Sequence, residues 1–125
     1  MSILLSALLA AQAPTALPPG TPYGKPTIIR MAAGGNLRDW RRGPEGSDTL
    51  YVRDRTERWY QVTLTGPCEF QRPLDTLSYT TDPVGNFDRF SRLRVAFLPQ
   101  QSCGVKSIRR STPPAGAPVD RRLRR

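Results

Sequence analysis

Between residues 28 and 109 apolar and polar side chains alternate with a period of two in several stretches, and nowhere follow a helical period of 3.6. In 59–65 Tyr60, Val62 and Leu64 point one way, and Gln61, Thr63 and Thr65 the other. Trp59 falls on the polar side of that alternation, which predicts partial exposure. In 92–97 Leu93, Val95 and Phe97 share a face opposite Arg92, Arg94 and Ala96. The polar run from Asp54 to Arg58 joins 49–54 to 59–65 as a hairpin. Ala33-Gly34-Gly35-Asn36 supplies the positive-φ residues for a second tight turn, between strands at 28–33 and 37–41. Further short strands are expected at 77–81 and 103–109, with breakers at Gly43-Pro44, Gly66-Pro67, Asp82-Pro83 and Pro99 between the runs. This pattern predicts an all-β fold, a small antiparallel barrel or sandwich of about six short strands. Trp40, Trp59, Tyr60, Phe90 and Phe97 are the expected bulk of its core.

The flanks read differently. Residues 3–13 are an apolar run ending in small residues, too short to span a bilayer as a helix. They match the h-region of a secretory signal, with cleavage after Ala11 or Ala13, so residues 1–13 are the expected signal peptide and the protein is expected in the periplasm or outside the cell. Five prolines crowd 14–26 and three more lie in 110–125. Both segments bury too little apolar surface to offset chain entropy, which predicts a disordered linker, a globular unit over 27–109 and a disordered Arg/Pro-rich tail. The net charge of +9 divides the same way: residues 27–108 hold 12 basic and 9 acidic side chains, whereas 109–125 hold six arginines and one aspartate. A basic chain implies an anionic partner, and here that inference attaches to the tail.

Composition narrows the chemistry. The 125 residues include no histidine and two cysteines, which disfavours His-based triads, zinc sites and haem ligation, and leaves too few thiols for a four-cysteine cluster. No phosphate-binding glycine loop or nucleophile elbow is present. No cofactor, metal or catalytic role is expected.

Several residues are candidates for a surface role. Arg38 and Trp40 share a strand face and suit a ligand carboxylate or an aromatic ring to stack on. The alternative is an Arg38–Asp39 structural pair beside a core tryptophan. An exposed Trp59 would mark a binding surface, and the alternative is packing under a loop. Arg92 and Arg94 share a face near Arg89, in parity with Phe90, as nucleic-acid binding would require; a solvated basic face is the plainer reading, and an anionic envelope surface the better electrostatic partner. Asp39, Asp54 and Asp88 are the carboxylates available for acid–base work, but each follows or precedes an arginine (Arg38, Arg55, Arg89), which suits salt bridging better than proton donation.

Gly34-Gly35-Asn36-Leu37-Arg38-Asp39-Trp40, Leu50-Tyr51-Val52 with Asp54, Trp59-Tyr60 with Thr63-Leu64, Pro67-Cys68, Phe87-Asp88-Arg89-Phe90 and Cys103 follow one another in order. In that order they resemble a family of small secreted proteobacterial proteins catalogued as a domain of unknown function, over residues 28–109. The resemblance implies a signal peptide, one small domain and two paired cysteines, and no activity. Export points independently to a Cys68–Cys103 disulfide, since small cores in oxidising compartments need staples. The function expected is that of a monomeric, non-catalytic periplasmic binding or interaction module, its partner an envelope protein or, through the tail, an anionic lipid surface. An inhibitor of an envelope hydrolase is the alternative, and nucleic-acid binding through the tail a further one; no specific nucleic acid is expected.

Overall fold

The computed structural model describes residues 17–44, 47–65, 77–95 and 98–117, and among these the regular elements are all strands. They are β1 (Pro22–Tyr23), β2 (Leu37–Arg42), β3 (Thr49–Asp54), β4 (Trp59–Leu64), β5 (Leu77–Tyr79), β6 (Arg92–Val95) and β7 (Leu98–Ser111). The order β2-β3-β4-β7-β6-β5 is antiparallel throughout and curls into a half-barrel, so the all-β architecture expected from the alternation is the one that forms. Its two ends, β2 and β5, face each other across an open seam.

β7 is the spine. One edge pairs with β4 from Val105 to Ser111; the other pairs with β6 from Leu98 to Gly104. Beyond β6 that second edge would be bare, an exposed template for unwanted pairing. The N-terminal arm covers it. Thr27 N–H donates to the Ile108 carbonyl (2.8 Å), and Pro22 and Tyr23 pair with Ser111 and Arg110. Proline suits such a position, because an edge strand does not need every donor. The arm then crosses the convex face, where Tyr51 Oη donates to the Gly20 carbonyl at 2.9 Å and Gly20 N–H to the Pro113 carbonyl at 2.9 Å. Gly20, at φ 69°, lies so close to the Tyr51 ring that a Cβ would stand 2.9 Å from the hydroxyl. The expected free linker over 14–26 is therefore a docked edge from Pro18 onward, and the expected tail begins as β7, with Thr112 and Pro113 tied to the arm. Residues 14–16 and 118–125 lie outside the described residues.

The concave face holds the core: Leu50 and Val52 from β3, Tyr60, Val62 and Leu64 from β4, Leu93 from β6, and Val105 and Ile108 from β7. A bulge between Thr63 and Leu64 lets Leu64 oppose Val105 and keeps both inside. Ile29, Ala32 and Phe87 plug one end from loops. Here the sequence expectation needs correcting. Residues 28–33 are not a strand: Ile29 makes an isolated bridge with Phe87, and Met31 turns the chain at φ 56°. Gly34 and Gly35 do turn, at φ 72° and 80°, but they deliver a core plug to β2 rather than a partner strand. Phe90, expected inside, is 77% exposed, and its place is taken by Phe87 at 0%. The strand expected over 103–109 runs from Leu98 to Ser111, that over 77–81 ends at Tyr79, and of that over 92–97 the described part is Arg92–Val95. Phe97 and Cys68 lie outside the described residues, while Cys103 packs partly buried against the core opposite Leu93.

One buried carboxylate organises the β3–β4 turn. Asp54 Oδ1 accepts from Thr56 N–H (2.9 Å), Thr56 Oγ1 (2.7 Å) and Arg58 N–H (3.0 Å), and Oδ2 accepts from Tyr60 Oη at 3.3 Å. Burial first, then the Asp54 charge and the hydrogen bond to it, push the Tyr60 phenol above its ordinary value of 10.0; Arg110, 5.6 Å from the ring, opposes this. A raised folded-state value means that the fold favours the neutral phenol. Stability is then intact below about pH 10 and falls as pH rises toward the folded value. Urea midpoints between about pH 9 and 11 should fall less steeply in Tyr60→Phe than in the parent; equal slopes would show that Tyr60 ionisation is not coupled to folding.

Candidate binding cleft at the open seam

The seam encloses a cleft of about 220 Å³ lined by Leu37, Arg38, Asp39 and Trp40 of β2, Val52 of β3, Leu77 and Tyr79 of β5, and Leu93 of β6. Alternation places Val52 and Leu93 on its floor, and Leu77 and Tyr79, two apart, on one wall. A bulge between Leu37 and Asp39 leaves Arg38 as the extra residue opposite no partner, and so sets it at the rim. Trp40, back in register opposite Val52, is partly buried against the core.

Two devices keep the seam open without letting it collapse. Tyr79 Oη accepts from Leu37 N–H at 3.2 Å and donates to the Ala32 carbonyl, tying β5 to the start of β2. Farther along β2, Asp39 Oδ1 accepts from Trp40 N–H (2.8 Å), while Arg41 Nη1 donates to Asp39 Oδ1 (2.8 Å) and to the Trp40 carbonyl (3.0 Å). The Asp39–Arg41 pair thereby occupies the outward backbone groups of Trp40, which blunts the edge against another strand. The expected Arg38–Asp39 pair is thus replaced by Arg41–Asp39, and Arg38 keeps its guanidinium free of hydrogen bonds to any described residue.

The remaining candidates are elsewhere. Trp59 is 3% exposed on the convex face with the Arg53 guanidinium 5.9 Å from its ring, so the expected partial exposure is corrected to full burial in that layer. Arg92 and Arg94 point away from Leu93 and the cleft; Arg92 donates to Ser102 Oγ (2.8 Å) and to the Ser102 carbonyl (3.2 Å). Asp54 and Asp88 are not paired with their neighbouring arginines: Asp54 holds its turn, and Asp88 Oδ1 accepts from Phe90 N–H at 2.9 Å. Among the described residues no group of three or more Cys, Asp or Glu could hold a metal ion. Of the candidates, the seam brings together Arg38, Asp39 and Trp40. Tyr79, Leu77, Leu93 and Val52 complete the site. Their strands are visible in the sequence, but their meeting depends on sheet order.

No family model matches the chain, and no curated protein or solved structure is significantly similar to it. The class that fold and site define is a small antiparallel half-barrel with an aromatic–apolar seam cleft and, at its rim, the Arg38 guanidinium, which has no hydrogen-bond partner among the described residues.

Proposed function

We propose that the protein is an exported, non-catalytic binding module whose seam cleft takes a compact aromatic or branched apolar group carrying a carboxylate. The observation that carries this reading is the juxtaposition of Arg38, free of described partners, with a cleft walled by Trp40, Tyr79 and Leu77. Arginine matches carboxylate geometry, and an aromatic wall beside it favours a ring over a sugar or a bare ion. Size decides the scale: at about 220 Å³ the cleft is below the usual 300–1,000 Å³ of cofactor or drug sites. It suits one side-chain-sized group, free or at the end of a peptide. A binding role rather than catalysis is supported by the lack of histidine and by the ties on Asp39 and Tyr79, the titratable groups that share the cleft with Arg38.

Export is supported by the apolar segment 3–13, as is a Cys68–Cys103 bridge stapling β7 to the segment after β4. The sequence resemblance to small secreted proteobacterial proteins of unknown function fits the same reading.

Ligand-observed NMR with 3-phenylpropionate tests the cleft's charge preference. A dissociation constant on the order of millimolar is expected for so small a probe. Binding should weaken about fivefold for Arg38→Gln, and about as much when 3-phenylpropylamine replaces the acid. Equal binding of acid and amine would remove the role given to Arg38.

A further inference from the structure

At one end of the half-barrel, β2, β4 and β6 begin and β3, β5 and β7 finish, so the 30–36, 55–58 and 80–91 loops lie together there. Three large apolar side chains project from these loops: Met31 at 56% exposure, Val84 at 78% and Phe90 at 77%. Scattered apolar residues on a surface are ordinary, but three displayed at the same end are not explained by the fold.

The turns that carry them are preformed. Asp82 Oδ1 accepts from Val84 N–H (3.0 Å) and Asn86 N–H (2.8 Å), and Asp88 Oδ1 from Phe90 N–H. The Met31 and Val84 turns are also joined to each other. Met31 N–H donates to Asn86 Oδ1 (3.3 Å), and the Ala32 and Ala33 N–H groups both donate to the Gly85 carbonyl (2.8 and 3.1 Å). Little ordering remains to oppose an encounter.

Charge at this end is layered. The carboxylates of Asp54, Asp82 and Asp88 are turned back onto backbone N–H groups, whereas Arg30, Arg55, Arg58 and Arg89 are exposed. Two of these arginines lie along the apolar tips: Arg55 Nη2 is 3.5 Å from the Met31 sulfur, and the Arg89 guanidinium is 5.0 Å from the Phe90 ring. Apolar tips with guanidinium groups folded against their stems fit an interface that is hydrocarbon below and phosphate above, because an arginine stem covers apolar surface while its head stays at the polar level.

We propose that this loop end docks onto an anionic lipid bilayer, with Met31, Val84 and Phe90 entering the boundary below the headgroups and Arg55 and Arg89 meeting lipid phosphates. The net charge of +9 attracts the protein to such a surface, and the apolar tips retain it there. This site is separate from the seam cleft and stands whether or not that cleft binds a carboxylate.

The full-length chain, sedimented with vesicles of phosphatidylglycerol and phosphatidylcholine, tests the proposal. Val84→Ser with Phe90→Ser should reduce the bound fraction constant about tenfold or more, with the urea midpoint unchanged because both side chains are exposed. In Phe90→Trp, the added emission should shift to the blue on binding and be quenched by lipids brominated along the acyl chain. Capture by the basic C-terminal segment alone would leave the double serine variant bound and the new tryptophan in water. Either result overturns the proposal, as does equal binding to phosphatidylcholine vesicles.

Discussion

Replacing Phe87 by alanine should lower the free energy of unfolding by about 3–5 kcal/mol, whereas the same change at Phe90 should lower it by less than about 0.5 kcal/mol. The two residues are three apart and chemically identical, so the contrast isolates position. Phe87 is fully buried, meets the Tyr79 ring edge-on at 5.9 Å and 81°, and exchanges two 2.9 Å backbone hydrogen bonds with Ile29. Its removal leaves a void at the plugged end that backbone held by those hydrogen bonds cannot easily close. Phe90, 77% exposed, gives up its contact with Arg89 and little buried surface. Against a total of about 5–15 kcal/mol for a small domain, the first change approaches global unfolding. Because Tyr79 ties β5 to β2, Phe87→Ala should also loosen the seam. Urea unfolding of the two variants measures the difference; equal midpoints would contradict the assignment of the core.

Reduction of the proposed Cys68–Cys103 bridge should cost about 4 kcal/mol in the chain-entropy account, for a closed loop of about 35 residues. That loop contains most of the β4–β5 connection, β5, β6 and the start of β7, so opening it frees the half of the sheet that bears one wall of the cleft. Cys103→Ser should match reduced parent protein in urea midpoint and should not respond to reductant. Intact mass under non-reducing conditions checks the premise first, and two free thiols per chain would dismiss both the staple and its share of the stability.

The β3–β4 hairpin was legible because strict alternation fixes both faces and the polar run from Asp54 to Arg58 fixes the turn. The same alternation misplaced Trp59. Its parity with Gln61 and Thr63 assigns it to the solvent side, and nothing local signals that this side is a second, covered layer. Over Trp59 the cover includes the Arg53 guanidinium, 5.9 Å from its ring; over Tyr51, on the same face, it is the proline-rich arm at Gly20, whose composition reads as disorder and whose order comes from an unfilled edge of β7. Phe87 and Phe90 show a different limit. They lie in an irregular loop with no period to read, and Asp88 between them is a turn cap rather than a neighbour's ion partner. The cleft was half legible. Arg38 and Trp40 could be paired from β2 alone, but the opposite wall depends on β5 lying at the far end of the sheet from β2, an ordering set by long-range pairing through β7.

The seam between β2 and β5 is the proposed binding site for a carboxylate-bearing apolar group. Protein-observed NMR during titration with 3-phenylpropionate tests it directly, since the two tryptophan indoles report on opposite faces of one sheet. Saturable shifts are expected at the Trp40 indole and at the Leu77, Leu93 and Val52 methyls, with the Trp59 indole unmoved. Shifts centred on Trp59, or none at Trp40 at several millimolar probe, would contradict it.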